Sequence, residues 1–248
     1  MKKSGWLEKK WFRNLLFVFF VVAWVFFVLV GVEYAIAYLA SWILPVDILS
    51  SPITNTLLSA TSYLLTLIIT MTIPPKILKS KVMENTRERL GLSGLPTWTD
   101  VGLAPIGYIV AIIIAAGLTW VFNFFPWFNS SEAQELGYSI YMQGWERGLA
   151  FVALVIIAPI MEELLFRGWL YGKLRLKIPK VAAIVITSLL FGLVHMQWNV
   201  GISVFAMSLV TCTLREITGT IYAGTLVHMI NNGVAFYLVF IAGAGLLG

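Results

Sequence analysis

Charged side chains are scarce in this chain: Asp, Glu, Lys and Arg make up 12% of its 248 residues, where soluble domains carry about 25%. That shortage excludes a water-soluble globular protein, a disordered chain and a polyanion-binding basic domain. Cysteine is nearly absent. Cys212 alone permits no intramolecular disulfide, so packing and buried polar pairs must hold the fold. Histidine is limited to His195 and His228. Apolar residues fill the space instead, at 59% of the chain with 14% aromatic. Divided by the roughly 20 apolar residues that cross a bilayer, the length holds about six to eight spans.

The few positive charges are ordered. Fifteen of the 17 Lys and Arg residues fall in alternate loops: Lys2 to Arg13, Lys76 to Arg89, Lys173 to Lys180, and Arg215. The remaining loops carry Asp47, Glu132, Glu135 and Glu146, with Arg147 as their only basic residue. Basic loops stay cytoplasmic, which predicts an N-terminus inside and a C-terminus outside a plasma-type membrane after seven crossings. The net charge of +5 is therefore read as a topology signal. The expected partners are the lipid bilayer and a membrane-associated peptide or protein, with no nucleic acid. The apolar run 15–31 exceeds the roughly 7–15 residues of a signal-peptide core, so it reads as an uncleaved first span.

The expected fold is all-α, a polytopic membrane helix bundle of about seven spans at 15–44, 53–72, 101–125, 149–170, 181–198, 202–214 and 220–247. The first and last exceed a bilayer's need and are expected to tilt or break, and splitting one would make eight. The sixth is short and carries Ser203, Ser208, Thr211 and Thr213, which predicts protein neighbours on its flanks. Residues 74–100 read as an amphipathic surface helix followed by a Gly-rich turn. Trp42, Trp98, Trp127, Trp145, Trp169 and Trp198 lie near span ends, as an aromatic belt requires.

Against this apolar background several polar residues are out of keeping. Both histidines lie inside apolar runs, as do Glu162, Glu163, Asn231 and Asn232. A charge near the bilayer centre costs at least about 2.5–3.5 kcal/mol, so each such group is a functional candidate. Counted from the cytoplasmic ends of their spans, Glu162 lies about 16 Å deep, His228 about 14 Å and His195 about 22 Å. Three spans can thus bring polar groups to one buried level.

Spacing then separates roles. Glu163 and Arg167 are four apart and can neutralise each other. Glu162 points about 100° away and is left for chemistry. Pro159 removes a helical hydrogen bond, which predicts a kink and a freed Val155 carbonyl. His228 and Asn232 share a face, and so do Phe191 and His195. Each also has a plain structural reading: an ion pair, an interhelical hydrogen bond, or, for Asn231, simple packing. Glu33 is expected to reach the outer interface, and Cys212 to pack as a small apolar residue.

Taken in order, Glu162-Glu163-x-x-x-Arg167, Phe191-x-x-x-His195 and His228-x-x-x-Asn232 resemble the motifs of a family of intramembrane proteases. This is the CPBP (CAAX protease and bacteriocin-processing, or Abi) family, which includes type II CAAX prenyl endopeptidases and bacteriocin self-immunity proteins. The approach from Leu214 to Thr220 is similar too. The resemblance covers residues 148–234. It implies a variable N-terminal membrane region at 1–147 and a catalytic core at 148–248. It also implies endopeptidase activity, with Glu162 and His195 activating a water, His228 and Asn232 stabilising the oxyanion, and Glu163 and Arg167 supporting the motif helix. A carboxylate in an apolar site suits a base that later gives its proton away. One Glu and two His (Glu162, His195, His228) also make the ligand set of some zinc sites. His-Glu-x-x-His is absent, however, the resemblance also supports a metal-free reaction, and Asn232 suits an oxyanion donor better than a zinc ligand, so the expectation is no cofactor, with zinc as the alternative. The rival readings are a non-catalytic immunity or regulatory protein of the same fold, and a proton-coupled transporter. The transporter would show paired broken helices or repeated halves, and neither is found.

Overall fold

The structure is a computed structural model that describes residues 4–79, 81–132, 138, 142 and 144–243. Among the described residues there is no strand. Seven apolar helices carry the chain: α1 (Ser4–Ile43), α2 (Pro52–Leu78), α3 (Trp98–Phe122), α4 (Gly144–Arg175), α5 (Lys180–Leu193), α6 (Trp198–Thr218) and α7 (Tyr222–Ala242). All but α5 are long and apolar enough to cross a membrane. With its 14 residues, α5 reaches only about 21 Å, short of the roughly 30 Å of a hydrocarbon core. The first span is one unbroken helix of 40 residues, so it adds no eighth crossing. Many large apolar side chains along α1, α2 and α3 are exposed, which only lipid tolerates on this scale. The chain is a multi-pass membrane protein with an all-α bundle fold.

Local sequence sets the helix ends. Ser51 accepts the Thr54 N–H ahead of Pro52, and Thr97 forms a capping box with Asp100, each satisfying amides that a helix start leaves open. Gly219 closes α6 at φ 74°, a left-handed turn that glycine adopts without strain. Three residues before it, Glu216 draws the ends of α4 and α6 together, accepting from Arg175 and from the Tyr171 hydroxyl, each at 2.6 Å.

The segment after α2 is not the long amphipathic helix expected at 74–100. α2 itself runs to Leu78, and a 3-10 turn (Lys81–Met83) and a single α turn (Arg87–Leu90) follow. Thr86 starts that turn and Gly91, at φ 71°, stops it. The backbone of this segment packs on protein. Lys173 donates to the Glu84 carbonyl, Arg215 to those of Glu88 and Arg89, and the Ile221 N–H to that of Gly91. These tertiary hydrogen bonds compete successfully with one long helix on the headgroups.

α6 is the most enclosed helix, packed against α3, α5 and α7, as its hydroxyl-bearing sequence predicts. Ser208, Thr211 and Cys212 are all buried along it. It meets α5 where Gly192 and Gly201 face each other, and a Cβ on Gly192 would stand 2.7 Å from the Gly201 carbonyl oxygen. Small residues let membrane helices approach this closely. Gly192→Ala is expected to destabilise the protein by about 1–3 kcal/mol, read as a lower melting temperature in detergent. Of the tryptophans assigned to the aromatic belt, Trp42, Trp98, Trp127, Trp145 and Trp198 are exposed. Trp169 is a correction: it is fully buried in the core, on an inward-facing turn of α4.

Candidate active site

α4 carries the acidic pair, and it is an irregular helix. π-helical segments at Val152–Ile157 and Leu164–Leu170 flank one α-helical stretch, Ala158–Glu163. Such wide turns recur at functional sites. In the first segment the Ala158 N–H reaches five residues back to the Ala153 carbonyl. Pro159, next in that register, has no N–H, so the carbonyl left without a helical donor is that of Leu154. The α-helical count had pointed to Val155. Asn232 of α7 fills the gap, its side-chain amide donating to the Leu154 carbonyl at 2.9 Å. The proline of one helix is thereby tied to the asparagine of another.

Glu163 and Arg167 pair as their spacing predicts, at 3.0 Å, with no side-chain surface exposed on either. His228 joins them, its Nδ1 donating to Glu163 at 3.2 Å. Its other nitrogen, Nε2, faces Glu162 at 3.7 Å. Glu162 keeps 14% of its side chain exposed, which leaves it the accessible carboxylate of the two. The remaining oxygen of Glu163 lies against Gly224, where a Cβ would stand 3.2 Å from it.

Phe191 is the hub. The Arg167 guanidinium lies over its face, 4.3 Å from the ring centroid. The rings of His195, His228 and Phe166 approach edge-on, with centroids 5.1, 5.7 and 4.8 Å away. One aromatic ring therefore sets the positions of both histidines and the buried cation. His195 is not on the helix proper: α5 ends at Leu193, and His195 stands in the turn before α6, next to Met196 at φ 54°. Its Nδ1 lies 2.7 Å from the Phe191 carbonyl. A carbonyl only accepts, so Nδ1 carries the proton, and in the neutral ring Nε2 is left as an acceptor.

Glu162 and His195 line a cavity of about 420 Å³. His228 and Asn232 stand outside its lining, so the four residues expected to act together divide into two in the wall and two behind it. Asn231 donates to Asn232 at 3.2 Å, in keeping with a structural role. Among the described residues no three His, Cys, Asp or Glu side chains gather as a metal site requires. Glu162, His195 and His228 do not form such a group here.

The opposite wall comes from α1 and α2, through Glu33, Asn55, Ser59, Ser62, Tyr63 and Thr66. Glu33, expected to reach the outer interface, lines this cavity from α1, the helix packed beside α2. The Tyr63 hydroxyl donates directly to Glu162 Oε1. Sequence reasoning missed Tyr63, although a signal was present. Asn55, Ser59, Ser62, Tyr63 and Thr66 recur at helical spacing as a polar stripe along one side of α2.

Residues 144–234 match the family model Rce1-like, described as type II CAAX prenyl endopeptidase Rce1-like. No curated protein and no solved structure matches the chain. The matched segment contains all three motifs and stops short of α1 and α2, which complete the cavity. Residues 144–234 of this chain are therefore similar to the Rce1-like type II CAAX prenyl endopeptidases.

Proposed function

We propose that the protein is an intramembrane endopeptidase that hydrolyses a peptide bond in a membrane-associated peptide or protein, by CAAX-type or precursor processing. The single observation that carries this reading is the accessible carboxylate of Glu162 in one cavity with His195, while the neighbouring Glu163 is fully neutralised by Arg167. Residues 148–248 supply the catalytic core, and residues 1–147 supply the wall that closes it. The basic loops orient the N-terminus to the cytoplasm.

In this reading Glu162, with His195 Nε2 as a second acceptor, takes a proton from a water held in the cavity. The water oxygen attacks the scissile carbonyl carbon, and its electron pair shifts onto the carbonyl oxygen. Collapse of that intermediate breaks the C–N bond, and the proton held by Glu162 passes to the leaving nitrogen. The oxyanion is met by neutral donors where water is excluded, which makes each worth more than in solvent. Asn232 supplies one such donor, its amide having a second N–H besides the one given to Leu154; the single N–H of neutral His228 goes to Glu163, so His228 joins it as the imidazolium, through Nε2–H. The residues at hand account for every proton transfer, and no cofactor is required.

Tyr63 holds Glu162 in position. Removing one hydrogen bond to a charged group costs about 1.5–3 kcal/mol. Tyr63→Phe is accordingly expected to lower kcat by about ten- to a hundredfold with KM little changed, measured on the purified protein in nanodiscs.

The experiment that tests the function compares protein N-termini in cells carrying the wild type and cells carrying Glu162→Gln at equal expression. New termini found only with the wild type support proteolysis and identify substrates. A phenotype that depends on the protein with no altered terminus would favour the immunity or regulatory reading.

A further inference from the structure

Glu33 lies ten residues before the Ile43 end of α1, about 15 Å along the axis. Tyr63 lies eleven residues past Pro52 at the adjoining end of α2, about 16 Å along. α1 and α2 pack side by side, so the two residues stand at one level, and both line the cavity that holds Glu162 and His195. The lining contains two carboxylates, Glu33 and Glu162, and one histidine, with no Lys or Arg. Among the described residues no cation makes an ion pair with Glu33. An ionisable group at this depth in a membrane helix is costly alone and ordinarily meets a partner or lines a pathway. The contrast with Glu163, the neighbouring acid that Arg167 neutralises within the chain itself, is direct.

We propose that the partner of Glu33 is the substrate: Glu33 receives a lysine or arginine side chain that lies within a few residues of the scissile bond. This rests on the protease reading and names the substrate class it takes. The rest of the wall suits an apolar peptide, with Leu29, Ile36, Leu58 and Val194 beside the hydroxyls of Ser59 and Ser62. Glu33 is exposed, so a basic side chain entering this space can reach its carboxylate. The cavity therefore selects a basic residue near the bond.

The test uses the full-length protein in nanodiscs and internally quenched apolar peptides of one sequence, carrying Lys or Gln at a single position that is walked along the chain. Cleavage is followed with the wild type, and binding with Glu162→Gln. At the favoured position the Lys peptide is expected to be bound and cleaved at least about tenfold better than its Gln counterpart, as close interfacial charge pairs allow. Glu33→Gln, similar in shape, is expected to bring that ratio close to one, and Glu33→Lys to shift preference towards a Glu peptide. Cleavage with no Lys preference, or a preference that survives in Glu33→Gln, overturns the subsite and leaves the protease reading standing. Lys-selective binding that Glu33→Gln abolishes, without any cleavage by the wild type, keeps the subsite and removes the protease reading. Neither binding nor cleavage of any peptide overturns both.

Discussion

Purified Glu162→Gln is expected to cleave peptide about a thousandfold more slowly than the wild type, within the range that general acid–base groups contribute. Gln keeps the size of the side chain, and its carbonyl oxygen still accepts the Tyr63 hydroxyl. What it loses is the ability to take a proton from water. The fold has little stake in this carboxylate: Arg167 pairs with Glu163 and not with Glu162. The melting temperature in detergent is therefore expected to stay within a few degrees of the wild type. Near-normal cleavage would remove Glu162 from the reaction, and a large loss of melting temperature would make it a structural residue.

Arg167→Met is expected to do the reverse and strike stability first, at about 3–5 kcal/mol, the usual cost of stranding one member of a buried pair. Arg167 is wholly buried between Glu163 and the face of Phe191. Its removal leaves the Glu163 carboxylate in the core with only the His228 N–H beside it. Met fills much of the volume, so the loss reports the charge and not a cavity. The double variant Glu163→Gln/Arg167→Met is expected to recover much of the stability, since no unpaired charge then remains. A non-additive cycle of this kind is the signature of direct coupling. If the double variant melts no higher than Arg167→Met alone, the pair is not what stabilises α4. Unfolding in detergent, followed by denaturant titration, measures all three variants.

The motif residues could be read off the chain, but their division of labour could be read only in part. Glu163 with Arg167 follows from four-residue spacing, and the structure forms that pair. The spacing of Phe191 and His195 gave the right neighbours for the wrong reason. α5 stops at Leu193, and the imidazole is held by a turn and by the Phe191 carbonyl. The freed carbonyl belongs to Leu154 and not Val155 because α4 runs there in a π register. A count at 3.6 residues per turn cannot see a change of register. Residues 74–100 look amphipathic in isolation. Past Leu78 the described residues fold instead into short turns because Lys173 and Arg215, 89 to 127 residues away, bond to their backbone carbonyls. Tyr63 and Glu33 lie outside the segment that resembles a known family, and only assembly of the bundle shows that they face Glu162.

Hydropathy and chain length are local properties. By themselves they determined a multi-pass helical membrane protein, the approximate limits of its long spans and the short list of polar residues that membrane insertion must accommodate. Which of those residues meet depends on how each helix is rotated about its axis and where its register shifts, and both are set by contacts between segments far apart in the chain. The tertiary structure alone decided that Glu163 is sealed against Arg167 while Glu162 opens on a cavity, and that α1 and α2 supply the wall facing it.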